Sequence, residues 1–130
     1  MKKHLLLLIP ITLLLFSQAV FADEVTKCFQ KAWAHPNDGG LGLTQGQSTS
    51  LCNGASAATE VTICFEIAYA HPNDDGLGLN KGQAVRLCNR ASDAVAVLRC
   101  FDKAWAHRND GGLGLTRGGA IDLCTQSAKR

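Results

Sequence analysis

Six cysteines divide into two series, Cys28, Cys64 and Cys100, and Cys52, Cys88 and Cys124, and each series advances by 36 residues. A fixed period of this size marks tandem copies of one supersecondary unit, and it limits the fold more than any single motif does. Between its cysteines each copy reads CFQKAWAHPNDGGLGLTQGQSTSLC, CFEIAYAHPNDDGLGLNKGQAVRLC or CFDKAWAHRNDGGLGLTRGGAIDLC, with 14 of 25 positions the same in all three.

Local patterns make each copy a pair of helices. In the middle copy Val61, Cys64, Phe65 and Ala68 recur at i, i+3, i+4 and i+7, with Thr59, Glu60, Thr62 and Glu66 on the opposite side. Ser56 and Ser92 stand where N-caps of this longer helix belong, and Asp23 or Glu24 starts the first copy. The helix should stop near His35, His71 and His107, where Pro36, Pro72 and an Asn-Asp-Gly cluster begin. A shorter helix of about eight residues follows, with capping-box spacing at Thr44 and Gln47 and at Asn80 and Gln83; Thr116 is retained, but Gly119 replaces the glutamine.

So short a helix does not hold alone in water. Cys28 lies seven residues before the turn and Cys52 eight residues after Thr44, so at ~1.5 Å per residue both stand ~10–12 Å from the turn end of a hairpin. Equal height selects Cys28 with Cys52, Cys64 with Cys88 and Cys100 with Cys124 from the roughly 15 pairings open to six cysteines. The expected fold class is therefore all-α: three tandem 36-residue disulfide-stapled helical hairpins in a short stack, with Phe29, Phe65, Phe101 and the leucines at its centre.

The first 22 residues have another purpose. Lys2, Lys3 and His4 precede the apolar run LLLLIPITLLLF, a short polar step and AVFA, the layout of a secretory signal peptide cut after Ala22. The expected divisions are thus a signal peptide over 1–22 and hairpin repeats over 23–55, 56–91 and 92–130. Removal of Lys2 and Lys3 leaves 13 − 2 = 11 basic residues against 11 acidic ones, a net charge of zero. Such a balance gives no reason to expect nucleic acid or an anionic membrane as partner. An even cysteine count in a small exported chain reads as a disulfide framework, which places the protein in the periplasm or outside the cell with no membrane span after cleavage.

The repeated phrase His-x-Asn-Asp-x-Gly-Leu-Gly-Leu has a structural reading: histidine at a helix end, Asn and Asp in a turn, glycine at positive φ and leucines in the core. It also has a metal reading, with His35 and Asp38, His71 and Asp74 or Asp75, and His107 and Asp110 as ligands. Two ligands per loop fall short of the usual three or four, so units would have to share them. An EF-hand register fails, because the bidentate acid would fall on a glycine, or on Gln45, Lys81 or Arg117. Trp33, Tyr69 and Trp105 form a second repeated feature. They flank the core at i, i+4 from a phenylalanine, and at fixed pitch they would also make a row of binding aromatics. No nucleophile elbow or phosphate loop is present, and a catalytic site is rarely copied three times. The expected function is a non-catalytic, cofactor-free binding or envelope-associated module whose partner is a protein or another extracellular ligand. A periplasmic metal-binding protein is the alternative, and a stapled inhibitor or toxin-like protein the third.

Overall fold

A computed structural model describes residues 11–128, with side chains described over 22–125. Residues 1–10 of the expected signal peptide, and the side chains of 11–21, lie outside this range. Six helices and no strands are found among the described residues: α1 (Ile11–Trp33), α2 (Gln45–Cys52), α3 (Ala58–Tyr69), α4 (Lys81–Cys88), α5 (Ala94–Trp105) and α6 (Arg117–Ala128). Single 3-10 turns at Pro36–Asp38, Pro72–Asp74 and Arg108–Asp110 interrupt the links from α1 to α2, α3 to α4 and α5 to α6.

Three disulfides tie the helices in the pairing that equal height requires. Cys28 joins Cys52, Cys64 joins Cys88 and Cys100 joins Cys124, each closing 24 residues of separation with Cα atoms 5.5, 5.5 and 5.7 Å apart. Bonds of this kind mark an oxidising compartment, extracellular or periplasmic. No helix among the described residues is long and apolar enough to cross a membrane.

The helices pack in two rows. α3 lies between α1 and α5, while α4 lies between α2 and α6. Val61, Phe65, Phe101, Leu51, Leu87 and Ile121 are sealed between the rows together with Cys28, Cys64 and Cys88. Among the described phenylalanines Phe29 is the exception, being only partly buried.

The short helices begin as their sequences require. Thr44 Oγ1 accepts from the Gln47 N–H at 3.1 Å while Gln47 Oε1 accepts from the Thr44 N–H at 3.1 Å. Asn80 and Gln83 repeat the exchange at 2.8 and 3.1 Å, and Thr116 keeps half of it with the Gly119 N–H.

The long helices begin differently from expectation. Neither Ser56 nor Ser92 is a cap; the caps fall one residue later, on Ala57 and Asp93. Ala57 offers no side-chain oxygen, whereas Asp93 Oδ1 accepts from the Ala96 N–H at 3.0 Å; in addition the Glu24 carboxylate of α1 accepts from the Ala58 N–H at 2.7 Å. Glu60 of α3 does the same for the Ala94 N–H, also at 2.7 Å. Glu24 is thus committed to the next helix rather than to starting α1, which already runs from Ile11. A carboxylate at a helix N-terminus satisfies an orphan donor and meets the positive end of the macrodipole.

Other bonds follow the same direction from one unit to the next. Asn89 donates to the Ser50 and Leu51 carbonyls at the end of α2, and Thr125 donates to the Arg86 carbonyl near the end of α4. Lys31 pairs with Glu66 at 3.3 Å, and Arg86 pairs with Asp122.

Two stability measurements check this fold. Replacing Cys64 and Cys88 together by alanine should lower the unfolding free energy by roughly 3 kcal/mol in a chemical denaturation curve, from loop-closure entropy. Ser48→Ala should raise it by about 1 kcal/mol, since the Ser48 hydroxyl is buried without a hydrogen-bond partner and the matching residues are Ala84 and Ala120.

Candidate functional site

Each long helix ends in the repeated phrase, which folds back along the helix it has just left. In the first unit the Leu41 N–H donates to the Lys31 carbonyl at 2.9 Å, Gly42 to Ala34 at 2.9 Å and Leu43 to Ala32 at 3.0 Å. The same three bonds recur at Leu77, Gly78 and Leu79, and at Leu113, Gly114 and Leu115. They satisfy carbonyls that an α-helix leaves orphaned at its C-terminus.

The histidines have a more local task than interaction with the helix dipole. His35 Nδ1 accepts from the Asn37 N–H at 3.1 Å, and His71 and His107 do the same for Asn73 and Asn109 at 3.1 and 3.2 Å. Each lies beyond its α-helix and caps the 3-10 turn that follows, where Pro36 and Pro72 are pre-set at the first position. After the turn the chain passes through the left-handed region at Gly39 (φ 77°) and Gly111 (φ 79°), and at Asp75 (φ 59°) in the middle copy. The next glycine answers a different need. A Cβ on Gly40, Gly76 or Gly112 would stand 2.0–2.1 Å from the carbonyl oxygen of Ala34, Ala70 or Ala106, so no side chain fits.

The metal reading requires ligands from more than one loop to converge. Among the described residues no group of three or more His, Cys, Asp or Glu side chains stands together as a metal site would require. His35 with Asp38, His71 with Asp74 or Asp75, and His107 with Asp110 remain exposed pairs. In each pair the imidazole Nδ1 is already occupied by a backbone donor.

The aromatics are placed otherwise. Trp33, Tyr69 and Trp105 are the last residues of α1, α3 and α5, and they are 59, 46 and 44% exposed. One part of each ring packs inward on Phe29, Phe65 or Phe101, with centroids 6.0, 5.7 and 6.1 Å apart. Lys81 Nζ sits 5.9 Å from the Tyr69 ring centre and Arg117 Cζ 5.2 Å from that of Trp105. Both cations also reach back one unit, to the Gly42 and Gly78 carbonyls at 3.4 Å. The first copy has Gln45 at this position, so Trp33 lacks the cation and is the most exposed of the three. A shallow groove of about 440 Å³ lies between α1 and α3, lined by Glu24, Lys27, Lys31, Ala58, Thr62 and Glu66. Glu24 and Lys31 are already engaged there in the contacts between the two helices.

No family model matches this chain, and neither a curated protein nor a solved structure matches it. The residues themselves must carry any functional reading. Glu24, Glu60 and Asn89 were not singled out by periodicity, since their bonds span 34 to 39 residues. A trace existed: the acid recurs at the 36-residue period and is then replaced by Ala96.

The loop geometry is tested by Gly76→Ala. Its Cβ would meet the Ala70 carbonyl, so the backbone must move; the expected loss is about 2 kcal/mol in unfolding free energy. At Gly39, where nothing lies within 4 Å of an added Cβ, alanine should cost only the left-handed backbone strain, about 1 kcal/mol.

Proposed function

We propose that the protein is an exported, non-catalytic binding module, made of three disulfide-stapled helical hairpins over 23–55, 56–91 and 92–130 and released from a signal peptide after Ala22. Support for the tandem architecture comes from the 36-residue period, the three matching disulfides and the order in which the helices pack. Export is supported by the basic-then-apolar start and by cysteines that are all paired.

One observation carries the binding reading: large aromatics stay exposed in every copy, at the same helix end, beside loops whose His, Asn and Asp side chains also face solvent. A buried flank would need no more than the inner edge of each ring. Exposed Trp and Tyr, amphipathic and with few rotatable bonds, are the side chains that most often anchor partners. Within the repeated loops the glycines and leucines close the helix ends and the histidines cap turns.

The reading is tested by affinity capture from envelope and extracellular extracts, comparing the unaltered protein with a Trp33→Ala, Tyr69→Ala, Trp105→Ala variant shown by circular dichroism to be folded. A partner retained by the first and lost from the second is the expected result. Equal capture by both would return the aromatics to a packing role.

A further inference from the structure

The groove between α1 and α3 and the one between α3 and α5 are built alike but lined differently. Glu24 and Glu60 accept from the Ala58 and Ala94 N–H groups at the same 2.7 Å, so equivalent residues of neighbouring long helices stand side by side in both. In the first groove Lys27 and Lys31 face Thr59, Thr62 and Glu66. One period on, these five positions hold Ile63, Ile67, Val95, Leu98 and Asp102. Ile63, Ile67 and Val95 are 39, 37 and 54% exposed, and Leu98 is partly buried. The outer face of the long-helix row therefore turns from polar to apolar over α3 and α5.

Charge is left unmatched on the same face. Lys31 meets Glu66 at 3.3 Å, but Ile67 stands in place of that lysine beside Asp102. Lys27 is held by Asp23 and Glu24 on its own helix, at 2.6 and 3.5 Å, whereas the positions before Arg99 are Val95 and Ala96. Arg99 and Asp102 are both exposed, and among the described residues neither is in an ion pair.

An apolar patch with one unpaired charge of each sign is complementary to itself, which is what an isologous contact requires. A two-fold axis lying across the helices sets α3 on α3 of a second copy and α5 on α5, both antiparallel. Ile63 meets the second copy's Ile67 when the axis passes midway between those two residues, and Arg99 meets the second copy's Asp102 when it passes midway between that pair. The two midpoints lie 35.5 residues apart in sequence, so they miss the 36-residue period by half a residue, about 0.75 Å along a helix, and one axis serves both contacts. The neighbouring lysines do not oppose it: Lys27 and Lys31 already have carboxylates, and Lys103 matches Lys31, which reaches forward, away from the preceding helix. We infer that the protein forms a two-fold dimer through the outer face of α3 and α5, with Ile63 and Ile67 at its centre and two reciprocal ion pairs between Arg99 and Asp102. Trp33, Tyr69 and Trp105 come two residues after Lys31, Ile67 and Lys103, about 200° round each helix, so the dimer leaves the aromatic row open in both copies and the inference goes beyond it.

Sedimentation equilibrium of the purified, disulfide-intact protein tests this. A monomer–dimer equilibrium with Kd of about 1–100 μM is expected, since a face of short helices falls at the small end of specific interfaces. Ile67→Lys installs the residue of the other two copies and gives Asp102 the partner that Glu66 has, so it should fold normally by circular dichroism yet weaken the dimer by more than about ten-fold. Arg99→Asp and Asp102→Arg should each be monomeric alone, because like charges then face each other across the axis. Mixed in equal amounts, these two variants should recover dimers of one copy of each, since both contacts are then of opposite sign. A monomer throughout the concentration range, a dimer that survives Ile67→Lys, or no recovery on mixing overturns the assignment. So does assembly that grows beyond two copies, the mark of end-to-end stacking, or a monomer that binds phosphatidylcholine vesicles through Ile67, the mark of a membrane contact.

Discussion

The protein depends on one covalent constraint, repeated three times: a disulfide between a long helix and a short one at the same height above their turn. α2 and α4 have eight residues each, too few to be helical on their own in water. A capping box closes the first turn of each and the sulfur bond fixes the last, so both ends are held and little of the chain between can fray. The connecting loop adds its own restraint. Three of its N–H groups take up carbonyls near the end of the long helix, and this sets the angle at which the short helix returns.

Coupling between units comes from groups that look dispensable within one. Glu24 of α1 and Glu60 of α3 close the start of the following long helix, and Asn89 and Thr125 reach back to close the end of a preceding short one. Each unit therefore completes hydrogen bonds that its neighbour cannot complete alone. Helix ends are where unpaired backbone groups concentrate, so a few well-placed polar side chains join the units more specifically than apolar contact would. Burial then follows: Val61 and Phe65, covered on both sides, are sealed, while Val25 and Phe29 at the same positions in the first unit are only partly buried.

What was legible in the sequence was whatever is local or periodic. The six helices, the height-matched cysteines and the capping pairs Thr44 with Gln47 and Asn80 with Gln83 follow from spacing within one copy. The placement of the long-helix starts did not. Ser56 and Ser92 are good caps by residue type, but the helices start one residue later, and a carboxylate 34 residues away accepts from the Ala58 and Ala94 N–H groups. The histidines were expected at a helix end; their real partners are the N–H groups two residues on, a bond set by backbone angles that residue type alone does not reveal. For the candidate site, the repeated aromatics were visible, but whether they would be covered was not. Exposure depends on how far neighbouring helices and the Lys81 and Arg117 side chains overlap each ring, a property of packing.

Three copies within one chain also separate what the fold demands from what it tolerates. Gly40, Gly76 and Gly112 never vary, and the reason is steric: a carbonyl oxygen occupies the space a Cβ would need. One residue earlier the copies read Gly39, Asp75 and Gly111, and that position is open around the missing Cβ of both glycines, so its requirement is a backbone angle that Asp meets at modest cost. The exposed aromatic position holds Trp, Tyr and Trp, with no comparable clash or backbone angle restricting it, since Trp33, Tyr69 and Trp105 all lie within ordinary helix. Ala or Lys would satisfy the helix there at least as well. An aromatic ring recurs in all three copies at a position where the helix does not require one, packed by one part on Phe29, Phe65 or Phe101 and with about half its surface in solvent.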